Sequence, residues 1–359
     1  MVYPETFEGF AVHDSKNWQK LEKIEYKPKP FGEYDIDIKI EACGVCGSDV
    51  HTVSGGWGDA PLPLVVGHEI VGKAIKVGDK VSTVKVGDRV GVGAQICSCM
   101  ECTFCKNNNE NYCPQWIDTY GAKYPDGTLA HGGYASHIRA HEYYTFKIPE
   151  AIETSLAAPM LCAGITSYSP LVRNGAGPGK KVGIVGIGGI GHFGVMFSKA
   201  LGAHTVAISR TDAKKEDAFK LGADEFIRTC DEDWAKPHKM TFDLIVNCAN
   251  SDTNFDVNAY LSLLTVGGRF INVGLPEGEG YRVKPMTLLT NAALIGSSHI
   301  GSRKEILEML DLAATQGIKS WVETIPISAE GCSQGLTKCH DNKVKYRVTL
   351  VDYEKAFGA

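Results

Sequence analysis

The chain has 359 residues, of which 43% are apolar and 22% charged, with a formal net charge of −5; length suggests two or three domains of ordinary globular composition. So small a charge favours neither nucleic acid nor an anionic membrane as partner. The longest apolar stretches, such as Val182 to Val195, are glycine-rich and too short to span a bilayer, and Met1-Val2-Tyr3-Pro4-Glu5 lacks the basic-then-apolar order of a secretory signal, so a cytoplasmic location is expected.

The first 150 or so residues read as short strands with turns and look all-β. Asp35-Ile36-Asp37-Ile38-Lys39-Ile40 alternates polar and apolar, the pattern of a half-buried strand. Ile70 to Val77 and Arg89-Val90-Gly91-Val92 continue in that style, punctuated by Gly78-Asp79 and Gly87-Asp88 turns. The polar run Lys106 to Asn111 reads as a loop. The character changes at Gly177-Pro178-Gly179-Lys180, which leads into the buried-strand pattern Lys181 to Val185. Ile190, Phe193, Phe197, Ala200 and Leu201 follow at helical spacing, stopped by Gly202. A strand at Thr205–Ile208, a helix at Lys214–Leu221 and strands at Phe242–Val246 and Gly268–Val273 complete an alternating βα pattern, the mark of a doubly wound parallel sheet. A helix from Lys304 to Ala314 and a strand from Tyr346 to Val351 are expected to rejoin the first domain.

Gly186-Ile187-Gly188-Gly189-Ile190-Gly191 is G-x-G-x-x-G placed directly between a strand and a helix. In that context the glycines let the backbone turn tightly and approach a pyrophosphate at the positive end of the helix. NAD binders usually carry an acid at the end of the second strand; here stand Ser209 and Arg210, with Lys214 one helical turn further. Taken alone, Arg210 and Lys214 could form a solvated face. A carboxylate would repel a 2′-phosphate whereas a hydroxyl and two cations would hold it, so NADP(H) is favoured.

Twelve cysteines in a chain without an export signal point to metal more than to disulfides. Cys99, Cys102, Cys105 and Cys113 have the spacing C-x2-C-x2-C-x7-C. Four thiolates so close can form a closed tetrahedral zinc cage, a structural staple for a loop with little core. Two disulfides are the alternative, which a reducing compartment disfavours. Cys97, two residues before the cage, is a bystander. Cys46, His68, Glu69 and Cys162 are scattered, and spacing alone does not assemble them. Two cysteines, one histidine and a water would describe an open, catalytic zinc.

Gly67-His68-Glu69, the four-cysteine loop and the glycine fingerprint, in that order, resemble the zinc-containing medium-chain dehydrogenases over essentially the whole chain. Ala42-Cys43-Gly44-Val45-Cys46-Gly47-Ser48-Asp49, Leu161 to Thr166 and Ser169-Pro170-Leu171 are similar to the cinnamyl alcohol dehydrogenase branch, particularly its fungal NADP-dependent enzymes of broad specificity. The resemblance implies an α/β protein: a β-rich GroES-like catalytic domain over residues 1–157 and 300–359, a Rossmann NADP-binding domain over 158–299, and usually a homodimer. It implies a catalytic zinc on Cys46, His68 and Cys162, with Glu69 as a fourth ligand when substrate is absent and Asp49 on the far nitrogen of His68. It implies a proton relay through Ser48 to His51, though His51 could instead simply pack against cofactor. Gly47, His51, Thr166, Ser297 and Arg347 would join Gly186, Gly188, Gly189, Ile190, Gly191, Ser209, Arg210 and Lys214 as cofactor contacts, with Arg347 on the pyrophosphate. Trp57, Trp116 and Tyr120 are candidate pocket walls and could equally be core aromatics. An aromatic lining would favour cinnamaldehyde-like, benzaldehyde-like or longer aliphatic aldehydes over acetaldehyde. Rival readings are a polyol or sugar dehydrogenase of the same superfamily and a silent NADPH-binding sensor on the same scaffold; retention of all the catalytic positions disfavours the sensor, and likewise the superfamily's zinc-free quinone reductases.

Overall fold

The structure is a computed structural model describing residues 4–250, 255–276 and 280–358; the first three residues of the N-terminal segment weighed above lie outside them. The chain divides into two compact units, Met1–Cys162 with Ser302–Ala359, and Ala163–Gly301. Among the described residues no single helix is long and apolar enough to cross a membrane.

The first unit is organised by the eleven-residue strand Asp35–Val45. Glu69–Val77 pairs antiparallel along one side of it. On the other side His137–His141 takes its first half and Arg347–Val351 its last. Among the described residues these strands belong to one seven-stranded sheet. The alternation is legible in Ile36, Ile38 and Ile40, all essentially buried. The opposite face is also covered, contrary to a half-buried strand, because cations meet its acids: Arg139 Nε donates to Asp37 Oδ1 at 2.7 Å, and Lys29 pairs with Asp35.

Two local readings need correction. The segment is not all-β: Gly47–Ser54 is an α-helix. Eight residues span barely two turns, too few for a helical period to show against the flanking strands. Its start is set by Asp49, whose carboxylate accepts from the Cys46 N–H at 2.9 Å. Lys106–Asn111 is not wholly loop either. Thr103–Lys106 forms one helical turn and Glu110–Tyr112 a 3-10 turn, so the polar run is structured at both ends by the cysteines around it.

The second unit is a six-stranded parallel sheet, among the described residues, in the order Glu225–Arg228, His204–Ser209, Lys181–Val185, Phe242–Asn247, Leu264–Asn272, Leu294–Ser297. The order reverses beside Lys181–Val185, the switch point of a Rossmann fold, where ligands bind outside the strand ends. Val182, Ile184, Val206, Ile208, Phe242, Ile245 and Phe270 are fully buried, as a sheet covered on both faces requires. The helix Gly191–Ala200 follows the first strand. The helix expected at Lys214–Leu221 is Lys215–Lys220, preceded by the 3-10 turn Asp212–Lys214.

Candidate metal centres and nucleotide site

Cys46, His68, Glu69 and Cys162 all lie in the first unit, and one ligand atom from each falls within 4.8 Å of the others. Strand pairing brings them there. Cys46 directly follows the long strand and caps the helix Gly47–Ser54. His68 and Glu69 lead into Glu69–Val77, with Glu69 opposite Gly44 in the register. Cys162 closes the turn Ala158–Leu161. A side chain at Gly44 would overlap the Glu69 carboxylate, so that glycine is the room in which Glu69 sits.

All four residues are buried. His68 Nε2 lies 3.1 Å from Cys162 Sγ, and the two thiols lie 4.0 Å apart. His68 Nδ1 faces Asp49 Oδ1 at 3.1 Å, so the ring donates there and presents its Nε2 lone pair to the cluster. The hydrogen bond with Cys162, working against burial, holds the Cys46 thiol well below its usual value, while Cys162 is pushed well above. Burial pushes the Glu69 carboxyl up to about 7 against the lowering pull of Arg347. Glu69 Oε1 pairs with Arg347, yet the buried Glu69 Oε2 has no hydrogen-bond partner among the described residues. Acceptors converging in a buried pocket with one left unpaired are costly unless a cation joins them. Sulfur, nitrogen and oxygen donors in this number fit zinc.

The second group is exclusively sulfur. Adjacent Sγ separations among Cys99, Cys102, Cys105 and Cys113 are 3.5, 3.6, 3.8 and 3.9 Å. A tetrahedron with metal–sulfur bonds of about 2.3 Å has edges of about 3.8 Å, and a disulfide would need about 2.05 Å. All twelve cysteines are free thiols. Backbone N–H groups of Cys102 and Gln115 donate to Cys99 and Cys113 at 3.3 Å each. Hydrogen bonds from Glu101 and Cys102 backbone help bring the Cys99 thiol down to about 6. Cys97 stands outside the group, its thiol on the Ser98 carbonyl at 3.5 Å.

Around the first group, Ser48 Oγ lies 3.6 Å from Cys46 Sγ. His51, on the same helix, stacks on Trp57 with ring centres 4.8 Å apart. The three aromatic candidates part company. Tyr120 is buried with its ring 5.5 Å from that of His68, Trp57 is 46% exposed over His51, and Trp116 donates to Asp118 Oδ1 at 2.7 Å. Arg347, expected at the pyrophosphate, is buried with its guanidinium on Glu69. That pairing, across 278 positions, carries no local signal; only the register of Val348 with Val45 and Thr349 with Gly44 produces it.

In the second unit the glycine turn is held tightly. The Gly186 N–H donates to the Ile208 carbonyl at 2.9 Å. Any side chain at Gly191 would overlap the Gly186 carbonyl, so the helix Gly191–Ala200 starts against the loop itself. Ser209 ends the second strand, Arg210 is exposed beyond it, and Lys214 Nζ donates to the Ile187 carbonyl at 2.6 Å. Lys214 thus folds back onto the loop, where burial lowers its pKa. Thr166 is buried on the helix Ala163–Arg173, and Ser297 Oγ donates to the Asn272 carbonyl at 2.8 Å.

Residues 32–150 match the alcohol dehydrogenase GroES-like domain, and residues 189–315 the zinc-binding dehydrogenase domain. The chain is 52% identical to NADP-dependent alcohol dehydrogenase 6 of Saccharomyces cerevisiae over 361 residues, covering all of both chains. It is 42% identical to a probable mannitol dehydrogenase of Fragaria ananassa over 321 residues, covering 89% of this chain and 88% of that one. Among solved structures, a cinnamyl alcohol dehydrogenase of Sorghum bicolor superposes with a TM-score of 0.90 at 31% identity, covering 96% of this chain and 97% of that one.

Proposed function

The chain belongs to the zinc-type alcohol dehydrogenase family and is an NADP-dependent alcohol dehydrogenase; from that premise we propose that it interconverts aldehydes and primary alcohols, preferring aromatic and medium-chain aliphatic substrates. The observation that carries the site assignment is the buried donor set of Cys46, His68, Cys162 and the unpaired Glu69 Oε2. Cys46, His68 and Cys162 would hold a zinc that, when bound, would supply a Lewis acid for the carbonyl oxygen, and NADPH would supply the hydride. Asp49 fixes the His68 tautomer so that Nε2 faces the metal position. The reduced oxygen needs a proton, which the Ser48 hydroxyl hands over and His51 replenishes from solvent. Trp57, stacked on His51, and Tyr120, beside His68, are the aromatic surfaces that select the substrate. Cys99, Cys102, Cys105 and Cys113 would hold a second zinc with four thiolates, a donor set suited to structure rather than catalysis.

In the nucleotide unit, Gly186 to Gly191 hold the pyrophosphate, and Ser209, Arg210 and Lys214 the 2′-phosphate. Twelve cysteines with none in a disulfide, six of them zinc ligands in this reading, suit a reducing cytoplasm. A homodimer is supported by the edge strand Leu294–Ser297, whose Leu294 and Ile295 are 54% and 40% exposed. Sedimentation would return twice the chain mass. A polyol or sugar substrate is the second reading, favoured by the likeness to a probable mannitol dehydrogenase. NADPH oxidation with cinnamaldehyde, hexanal and fructose, with NADH in parallel, separates the readings. Cinnamaldehyde turnover with NADPH far above fructose turnover supports the first; the reverse order supports the second.

A further inference from the structure

Asp49 is completely buried, and each oxygen of its carboxylate accepts two hydrogen bonds. Oδ1 takes the His68 ring at 3.1 Å and the Gly67 N–H at 3.3 Å. Oδ2 takes the Cys46 N–H at 2.9 Å and the Tyr134 hydroxyl at 3.2 Å. Three of these donors belong to metal-site residues or their immediate neighbour. The fourth arrives from 85 positions away, on a segment that supplies no ligand.

That segment is clamped to the loop before His68. The Gly133 N–H donates to the Gly67 carbonyl at 2.7 Å and the Tyr134 N–H to the Val66 carbonyl at 2.9 Å. The Tyr134 carbonyl accepts from the Phe10 N–H at 2.8 Å, and Tyr353 donates to the Gly133 carbonyl at 2.8 Å. The Tyr134 ring presses on Gly67, where a Cβ would come within 2.6 Å of it. The phenol is fully buried. Tyr120 also interacts with Asp49, as well as with Thr52, and its ring lies against His68; Tyr134 is the hydroxyl anchored at the carboxylate oxygen that does not touch the imidazole.

We propose that Tyr134 is a positioning residue of the buried metal site. Its hydroxyl fixes the rotation of the Asp49 carboxylate, and that carboxylate in turn holds the His68 ring on the metal. Without the hydroxyl, the carboxylate keeps the Cys46 and Gly67 N–H groups and the Tyr120 contact but loses the anchor on Oδ2 that opposes its rotation, so Oδ1 is held less firmly towards His68. Loosened partners of a ligating histidine typically cost 10–100-fold in metal affinity. The proposal rests on the reading of Cys46, His68, Glu69 and Cys162 as a zinc site.

Zinc release to a colorimetric chelator tests it, at a temperature well below unfolding, on wild type, Tyr134→Phe, Asp49→Asn and the double variant. Tyr134→Phe, nearly isosteric, should release the zinc of this site about tenfold faster and leave the four-cysteine zinc at its wild-type rate. On the Asp49→Asn background the same change should add less than about twofold, because its route runs through Asp49. Cobalt substituted at this site should show shifted visible bands in Tyr134→Phe. Release at the wild-type rate, or the same acceleration with and without Asp49, overturns the positioning role. Wild type that holds only the four-cysteine zinc overturns the metal-site reading and the proposal with it.

Discussion

The two cysteine-bearing groups of the first unit are built in opposite ways. The four-cysteine group lies within fifteen residues and uses one donor type, with backbone N–H groups pointing at the sulfurs. The Cys46 group draws on three separate segments, mixes sulfur, nitrogen and oxygen, and is buried and backed by Asp49 and Arg347. In the proposed reading, the first holds a metal that staples its loop. The second is held in place by a sheet that folds around it, and so can tolerate an open position. A local group is a staple, while an assembled group can be a reaction centre.

Substitutions should separate the two groups. The largest effect is expected from Cys46→Ser. It should lose the buried zinc and lower NADPH-dependent turnover by about 10³-fold or more, with the melting temperature nearly unchanged; metal content and NADPH oxidation read both. Cys105→Ser should do the reverse, losing the other zinc and lowering the thermal midpoint by about 10 °C in a calorimetric scan, while the buried zinc stays. A variant of either kind that lost both metals would break the distinction.

The proposed 2′-phosphate group is intermediate, since Ser209 and Arg210 are adjacent in sequence while Lys214 reaches back to the Ile187 carbonyl. Ser209→Asp with Arg210→Ala should move the NADPH-to-NADH ratio of kcat/KM by about 100-fold towards NADH. Unchanged ratios in steady-state assays would remove those residues from the phosphate site.

The smallest effect contrasts a buried imidazole with a half-buried one. His68 has a carboxylate partner, whereas His131 Nδ1 accepts from the Val65 N–H at 3.3 Å, a bond only the neutral ring can make. Burial lowers the His131 pKa to about 4. The unfolded chain therefore binds a proton that the folded one refuses. The stability from this group is complete above about pH 6.5 and is lost as pH falls towards 4. His131→Gln should flatten the denaturant-derived stability profile across that window by about 1–3 kcal/mol, and an unchanged slope would count against the assignment.

The same contrast governs what the sequence discloses. Lys181–Val185, Thr205–Ile208 and Phe242–Val246 are legible because buried parallel strands are continuous apolar runs bounded by turns. The four-cysteine group is legible because its spacing is its geometry. The grouping of Cys46, His68 and Cys162 had to come from family resemblance, since three segments meet only through strand register. The Glu69–Arg347 pair and the Tyr134–Asp49 bond lie 278 and 85 positions apart, and no pattern along the chain marks them. The helix Gly47–Ser54 escapes because a cysteine at its start and two turns of length resemble the end of a strand.

The most direct test is a timed chelator treatment of the wild-type enzyme, following zinc content, NADPH-dependent turnover and melting temperature together. Turnover should vanish with the zinc that is absent from Cys46→Ser and return on adding Zn2+, while the melting temperature falls only with the other. Turnover that survived loss of that zinc, or a single metal governing both quantities, would contradict the division of labour between the two sites.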